Sequence, residues 1–296
     1  MRKWKKVFAG LICAVLFCAC ANKTGDNATN AAGTDEADVT PVVTVTVAPE
    51  TTVTPKADIT PTTKPTPTPV PTPTPLPKCD PLYVEFKDGS ANSGSCEIAD
   101  GWSNGNMFNV TWRKANCTFT GDKMQLIINT DSGSIPYSGA EYRSRKFFGY
   151  GRYEVSLKAI KNDGVVTSFF TYTGPTDKNP WDEIDIEILG KDTSKVQFNY
   201  FTNGRGNHEY MHDLGFDASE DFHTYAFEWH KDKIVWFIDG VEVYTATDNI
   251  PTHRGKIMMN AWCGKNVDSW LKPFDDSNLP LIAEYEWFSY TPFDEE

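Results

Sequence analysis

Trp181-Asp182-Glu183-Ile184-Asp185-Ile186-Glu187-Ile188-Leu189-Gly190 alternates an acid with an isoleucine three times in succession. Side chains of an extended chain point alternately to its two faces. Glu183, Asp185 and Glu187 therefore share one face, and Ile184, Ile186 and Ile188 share the other. The β-branched isoleucines suit a pleated strand and make an ordinary core face. Three acids side by side repel one another, so the opposite face costs the fold something. Catalysis, a solvated acidic surface and a calcium-binding face are the three uses open to it.

The same period of two recurs on both sides of this segment. Residues 153–158, 196–201, 223–229, 234–238, 241–245, 256–262 and 283–290 all read as strands. Asp239-Gly240 separates two of them as a two-residue hairpin turn. No long segment has a 3.6-residue period, and no glycine-rich turn joins a strand to a helix. Many short strands at close spacing predict an all-β sandwich or barrel.

The chain has 296 residues and a formal charge of −12. Residues 1–78 hold 8 basic and 6 acidic side chains, which leaves −14 for the rest. Such a balance argues against nucleic acid as a partner. With 9 Trp, 12 Tyr and 18 Phe the chain is too aromatic to stay unfolded. Residues 1–20 read as an export signal: Arg2, Lys3, Lys5 and Lys6, then an apolar run too short for a comfortable membrane span. The run ends Phe17-Cys18-Ala19-Cys20, which resembles a bacterial lipoprotein signal and makes Cys20 the expected lipidated N-terminus. Residues 21–78 are a Thr/Pro-rich tether. At roughly 3.1 Å per residue, its forty most proline-rich residues reach on the order of 100 Å. Residues 79–296 form the expected folded domain. The expected location is outside the cell, at its surface.

Residues i and i+4 of a strand lie about 13 Å apart at Cα. Glu183 and Glu187 can lean together to roughly 5–6 Å, near the ~5–5.5 Å carboxyl separation of retaining glycosidases. The neighbouring residues sharpen this. Thr171-Tyr172-Thr173-Gly174-Pro175-Thr176-Asp177 and Pro180 through Glu187 resemble the signature of bacterial lichenases, the 1,3-1,4-β-glucanases of glycoside hydrolase family 16. The similarity extends to residues 103–109, 196–200 and 256–262. It implies a β-jelly-roll sandwich with a substrate cleft across its concave sheet. It also implies Glu183 as nucleophile, Glu187 as general acid/base and Asp185 as the assisting carboxylate. Phe170, Tyr172, Trp181 and Trp262 match aromatic cleft positions of the family, and Asn104, Glu141, Arg143, Asn199 and Asn260 match its polar ones. The implied partner is a β-glucan polysaccharide. The implied state is a monomer, with no cofactor for catalysis and a structural calcium near Glu286.

Some positions depart from the pattern. Trp102 and Phe201 stand where the resemblance leads one to expect Tyr. Val110 and Gly139 replace a disulfide pair, leaving Cys96 and Cys117 either to pair otherwise or to stay free. Cys79, Cys96, Cys117 and Cys263 allow three full pairings, and pairs are plausible outside the cell. The regular E-x-D-x-E spacing favours lichenase over laminarinase, whose motif carries an extra residue; xyloglucan-active relatives share the regular spacing. A non-catalytic carbohydrate-binding module is the rival from another class. His208-Glu209-Tyr210-Met211-His212 fits H-E-x-x-H, the zinc protease pattern, but its loop-like flanks predict no helix to place both histidines on one face.

Overall fold

The computed structural model describes residues 79–86 and 94–294. The expected export signal, Cys20 and the tether lie outside these residues. In chain order the strands are β1 Leu82–Glu85, β2 Cys96–Ile98, β3 Val110–Trp112, β4 Cys117–Phe119, β5 Met124–Thr130, β6 Tyr137–Ser144, β7 Gly151–Lys158 and β8 Val165–Thr173. They continue as β9 Asp182–Leu189, β10 Lys195–Phe201, β11 Tyr210–Asp213, β12 His223–Trp229, β13 Ile234–Ile238, β14 Val241–Ala246, β15 Lys256–Cys263 and β16 Leu281–Pro292. The α-helix among the described residues is one turn, Asp268–Leu271.

The strands form the two layers of a jelly-roll sandwich. The front layer runs β11-β10-β9-β8-β15-β6-β2 and is antiparallel throughout. The back layer runs β14-β13-β12-β7-β16-β5-β4, with β1 beside the second half of β16. The layers join where β5 passes into β6, at Asn129↔Ser138 and Thr130↔Tyr137. The Asp239-Gly240 turn has both residues at positive φ, 48° and 77°, as a two-residue turn matched to strand twist requires.

The core lies between the layers. Ile184, Ile186 and Ile188 are fully buried in it, with Phe198, Phe227 and Trp236. Trp236 of the back layer stacks on Phe198 at 5.4 Å and donates Nε1–H to the Asp185 carbonyl at 3.2 Å. Tyr285 of the back layer likewise donates to the Ser168 carbonyl at 3.0 Å. Bonds from one layer to the other fix the height of β8 and β9 above the core. The outward face of the front layer is thereby held at fixed register.

Candidate active site

Register places the side chains of that outward face in rows. Tyr172, Glu183 and Phe201 face one another across β8, β9 and β10. Phe170, Asp185 and Asn199 make the next row, and Ser168, Glu187 and Gln197 the third. β15 extends the third row through Asn260, paired with Ser168 on one side and Glu141 of β6 on the other. Met258, opposite Phe170, pairs with Arg143. The expected trio and its amide partners thus come together on one open surface.

Each acid has its own company. Trp181 Nε1 donates to Glu183 Oε2 at 2.5 Å, and the Asp185 carboxyl hydrogen-bonds to Glu183 as well. Gln197 Nε2 donates to Glu187 Oε2 at 2.7 Å, while Trp270 Nε1 donates to Gln197 Oε1 at 3.1 Å and fixes which way that amide points. Glu183 and Glu187 stay partly open to solvent, whereas Asp185 is 5% exposed.

Burial in the sheet floor is the largest influence on all three carboxyls. It pushes Glu187 up to about 7 and Glu183 up to about 8, and Asp185 well above its ordinary value. Repulsion among the acids adds to the rise at Glu183 and Asp185, and Glu209 adds to it at Asp185 and Glu187. Near neutral pH the trio therefore retains protons. The higher value at Glu183 argues against charge there until the Asp185–Glu183 contact is considered. Two carboxyls can hydrogen-bond only if one keeps its proton. With that proton on Asp185, Glu183 accepts from two donors and is relieved of one repulsion; Glu187 accepts from one donor. Negative charge then sits best on Glu183 and the next proton on Glu187.

The surrounding residues divide into presented and supporting ones. Trp181 is partly exposed and stacks on Phe201 at 4.3 Å and 15°. Asn104 is exposed, its Oδ1 accepting Trp112 Nε1–H at 2.9 Å. Arg143 donates to Glu97 at 2.9 Å and pairs with Glu141 at 3.5 Å. Glu141 is buried, pushed up to about 7 mainly by that burial, and its Oε1 has no hydrogen-bond partner among the described residues. Asn260 accepts from Ser168 at 2.7 Å. Tyr172 is partly exposed, and Phe170 and Asn199 are nearly buried. Trp262 is 3% exposed beneath Phe108, whose ring lies 4.1 Å away; it backs the surface more than it presents to it.

Sequence reasoning passed over Gln197, Trp270 and Ser168, and met Glu209 only as part of H-E-x-x-H. Gln197 alternates with Asn199 on one strand, so the face argument could have found it; the others needed the fold. Glu286, the expected calcium position, is the bulged residue of β16. Its carboxylate accepts from Ser156 at 2.6 Å and its carbonyl from the Phe86 N–H at 2.9 Å. No group of three or more His, Cys, Asp or Glu side chains that could hold a metal ion occurs among the described residues. His212 of H-E-x-x-H lies on β11, a strand, and His208 stacks on Tyr200 at 3.8 Å.

A jelly-roll face that lines up three acids among rings and amides has the layout of a carbohydrate-active enzyme. Residues 104–279 match the model of glycosyl hydrolases family 16, and the chain belongs to that family. It is 57% identical over 202 residues to a β-glucanase of Acetivibrio thermocellus, covering 68% of this chain but 60% of that protein. The chain therefore spans less than two thirds of that relative's length. It is 56% identical over 200 residues to a β-glucanase of Bacillus subtilis, covering 68% of this chain and 82% of that one. Among solved structures, a prokaryotic β-1,3-1,4-glucanase (lichenase) from a mouse hindgut metagenome matches at 54% identity and a TM-score of 0.70, over 72% of this chain and 99% of that one.

Proposed function

We propose that residues 79–296 form an endo-acting, retaining glycoside hydrolase that cleaves mixed-linkage β-1,3-1,4-glucan by double displacement. The observation that carries this reading is the unequal company of Glu183 and Glu187 on one face, two residues either side of Asp185. Glu183, held by Trp181 and Asp185, attacks the anomeric carbon and forms a glycosyl ester. Glu187, with its raised pKa, gives its proton to the departing glycosidic oxygen. It then takes a proton from water, whose oxygen displaces Glu183 from the sugar. Asp185 holds Glu183 in orientation and tempers its charge. Trp181 and Tyr172 pack on sugar faces. Asn104, Arg143, Asn199 and Asn260 meet hydroxyls, and so does Glu141, whose Oε1 pairs with the Arg143 guanidinium at 3.5 Å. Phe170 and Trp262 support the rings above them.

The names of the relatives and the regular E-x-D-x-E spacing support mixed-linkage glucan over laminarin. The test is release of new reducing ends from barley β-glucan, laminarin and xyloglucan. Only the first is expected to be cut; hydrolysis of another glucan alone, or of none, overturns the reading. The roles are tested separately. Glu183→Ala should lose glycosidase activity, and azide should restore turnover as the α-glycosyl azide, inverted at the anomeric carbon relative to the normal product. Rescue of Glu187→Ala with that product would exchange the two roles. We also propose that the enzyme is an exported monomer anchored through lipid on Cys20, which mass spectrometry of the processed N-terminus would reveal as a diacylated cysteine.

A further inference from the structure

The chain contains two Asn-Gly pairs, Asn104-Gly105 and Asn203-Gly204, and both asparagines are exposed. Such a pair is a place where a chain can modify itself. The glycine nitrogen can close a five-membered ring on the asparagine side-chain carbon, and a glycine has no Cβ to obstruct the closure. The two pairs nonetheless sit in opposite surroundings.

At Asn104 three features favour the reaction. The Trp112 ring is fully buried, and its Nε1–H donates to Asn104 Oδ1 at 2.9 Å. A fixed donor on a carbonyl oxygen steadies the negative charge that develops there when a nucleophile adds to the carbon. The Gly105 N–H donates to Ser103 Oγ at 3.2 Å, a hydroxyl that can relay the proton the nitrogen must lose. Around Gly105, at φ 77°, an added Cβ would meet nothing within 4 Å, so the turn has room to close on itself. At Asn203 the backbone is locked instead. The Gly204 N–H is held by the Trp181 carbonyl at 2.7 Å, and the Asn203 N–H by the Asp182 carboxylate at 2.7 Å. The Gly204 nitrogen has to break that bond before it can attack.

We propose that Asn104 is a site of spontaneous deamidation, and that its conversion ages the sugar-binding cleft. The Gly105 nitrogen gives up its proton and bonds to Asn104 Cγ. The Cγ–Nδ2 bond breaks, and Nδ2 takes up a proton and leaves as ammonia. Water then opens the cyclic imide at either carbonyl. Opening at Cγ leaves aspartate on an ordinary chain. Opening at the backbone carbonyl leaves isoaspartate, with the main chain rerouted through the side chain. Both products replace the amide N–H donors with a negative charge. Isoaspartate also lengthens the main chain by one carbon, in a turn held by the Phe108 N–H on the Gly105 carbonyl at 2.9 Å and the Trp112 N–H on the Trp102 carbonyl at 2.8 Å. The three acids are untouched. The effect on sugar binding rests on the glucanase reading above; the conversion itself does not.

The test is peptide mapping by mass spectrometry of the full-length protein kept in mildly alkaline buffer. Residue 104 should gain about 1 Da as NH2 gives way to OH, with isoaspartate in part of the product. The gain should run on the order of tenfold faster than at residue 203 in the same sample. Ser103→Ala and Trp112→Phe should each slow it, and the serine variant decides if loss of the buried ring disturbs the fold. Asn104→Asp, made directly, should share the defect of the aged protein, a KM on barley β-glucan raised about fivefold with kcat kept. An unchanged residue 104, equal rates at 104 and 203, or no slowing in Ser103→Ala overturns the deamidation site and leaves the glucanase reading standing. Conversion without a rise in KM overturns the ageing of the cleft. Failure of fresh protein to cut any glucan brings down the glucanase reading and the ageing with it, but not the mass gain.

Discussion

At Glu187 one amide sets how readily the carboxyl gives up its proton. Burial pushes that pKa up to about 7, and the hydrogen bond from Gln197 acts in the opposite direction. A donor to the charged form lowers a carboxyl pKa, so removing it must raise the value further. Gln197→Met keeps the bulk and deletes the donor. A general acid works while protonated, so the alkaline limb of kcat/KM reports its loss of the proton. In Gln197→Met that limb should move to higher pH, on the order of one unit, on barley β-glucan. A limb that stays put or moves down would assign the alkaline ionisation to another group. Trp270→Phe, which frees the Gln197 amide to rotate, should shift the limb the same way by less.

At the scale of the element, β9 is useful because its first residue is tied down. The Asp182 carboxylate is 2% exposed and accepts four N–H groups: Asn203 N at 2.7 Å, Thr252 N at 2.9 Å, His253 N at 3.0 Å and His253 Nδ1 at 2.9 Å. These bonds pin two loops beneath the end of the strand that carries Glu183. Burial pushes the Asp182 pKa up, but the combined donors outweigh it and hold the carboxyl below its ordinary value. Its contribution to stability is therefore present above the unfolded pKa and is lost as pH falls through the folded one. Asp182→Asn turns an amide N–H toward backbone N–H groups. It should cost about 2–4 kcal/mol at pH 7, a fall in melting temperature on the order of 5–10 °C. The gap from wild type should narrow in acid; a gap that stays constant down to pH 2 would show that the ionised carboxylate is not what matters.

Across the whole molecule, strands were readable where apolar and β-branched residues cluster, whatever the burial of their two faces. β12 and β13 carry the predicted bounds, His223–Trp229 and Ile234–Ile238, and β10 and β15 were read although nearly every residue in them is buried. β5, β6 and β8 were not read, although β5 alternates buried and half-buried residues. The acids were readable because they follow one another along a single strand. The groups that hold them were not: Trp270 lies 73 residues from Gln197, and His253 lies 71 from Asp182. The cysteines follow the same logic. Spacing alone left three pairings open, whereas the fold keeps Cys79, Cys96, Cys117 and Cys263 as thiols. Val110 and Gly139 do lie in contact, since a Cβ on Gly139 would sit 3.1 Å from Val110 Cγ2, but neither carries sulfur. Burial pushes the Cys96 thiol up to about 11 and those of Cys117 and Cys263 up to about 12, so at neutral pH little reactive thiolate forms. The hydrophobic core must then hold the sandwich without a covalent tie. Adding a reductant should move the melting temperature by less than about 1 °C, where losing a native disulfide costs about 2–5 kcal/mol. In the folded domain a thiol reagent should modify Cys79 well before the three buried cysteines. A drop on the order of 10 °C on reduction would mean that a bridge forms and that two of these strands sit closer than described.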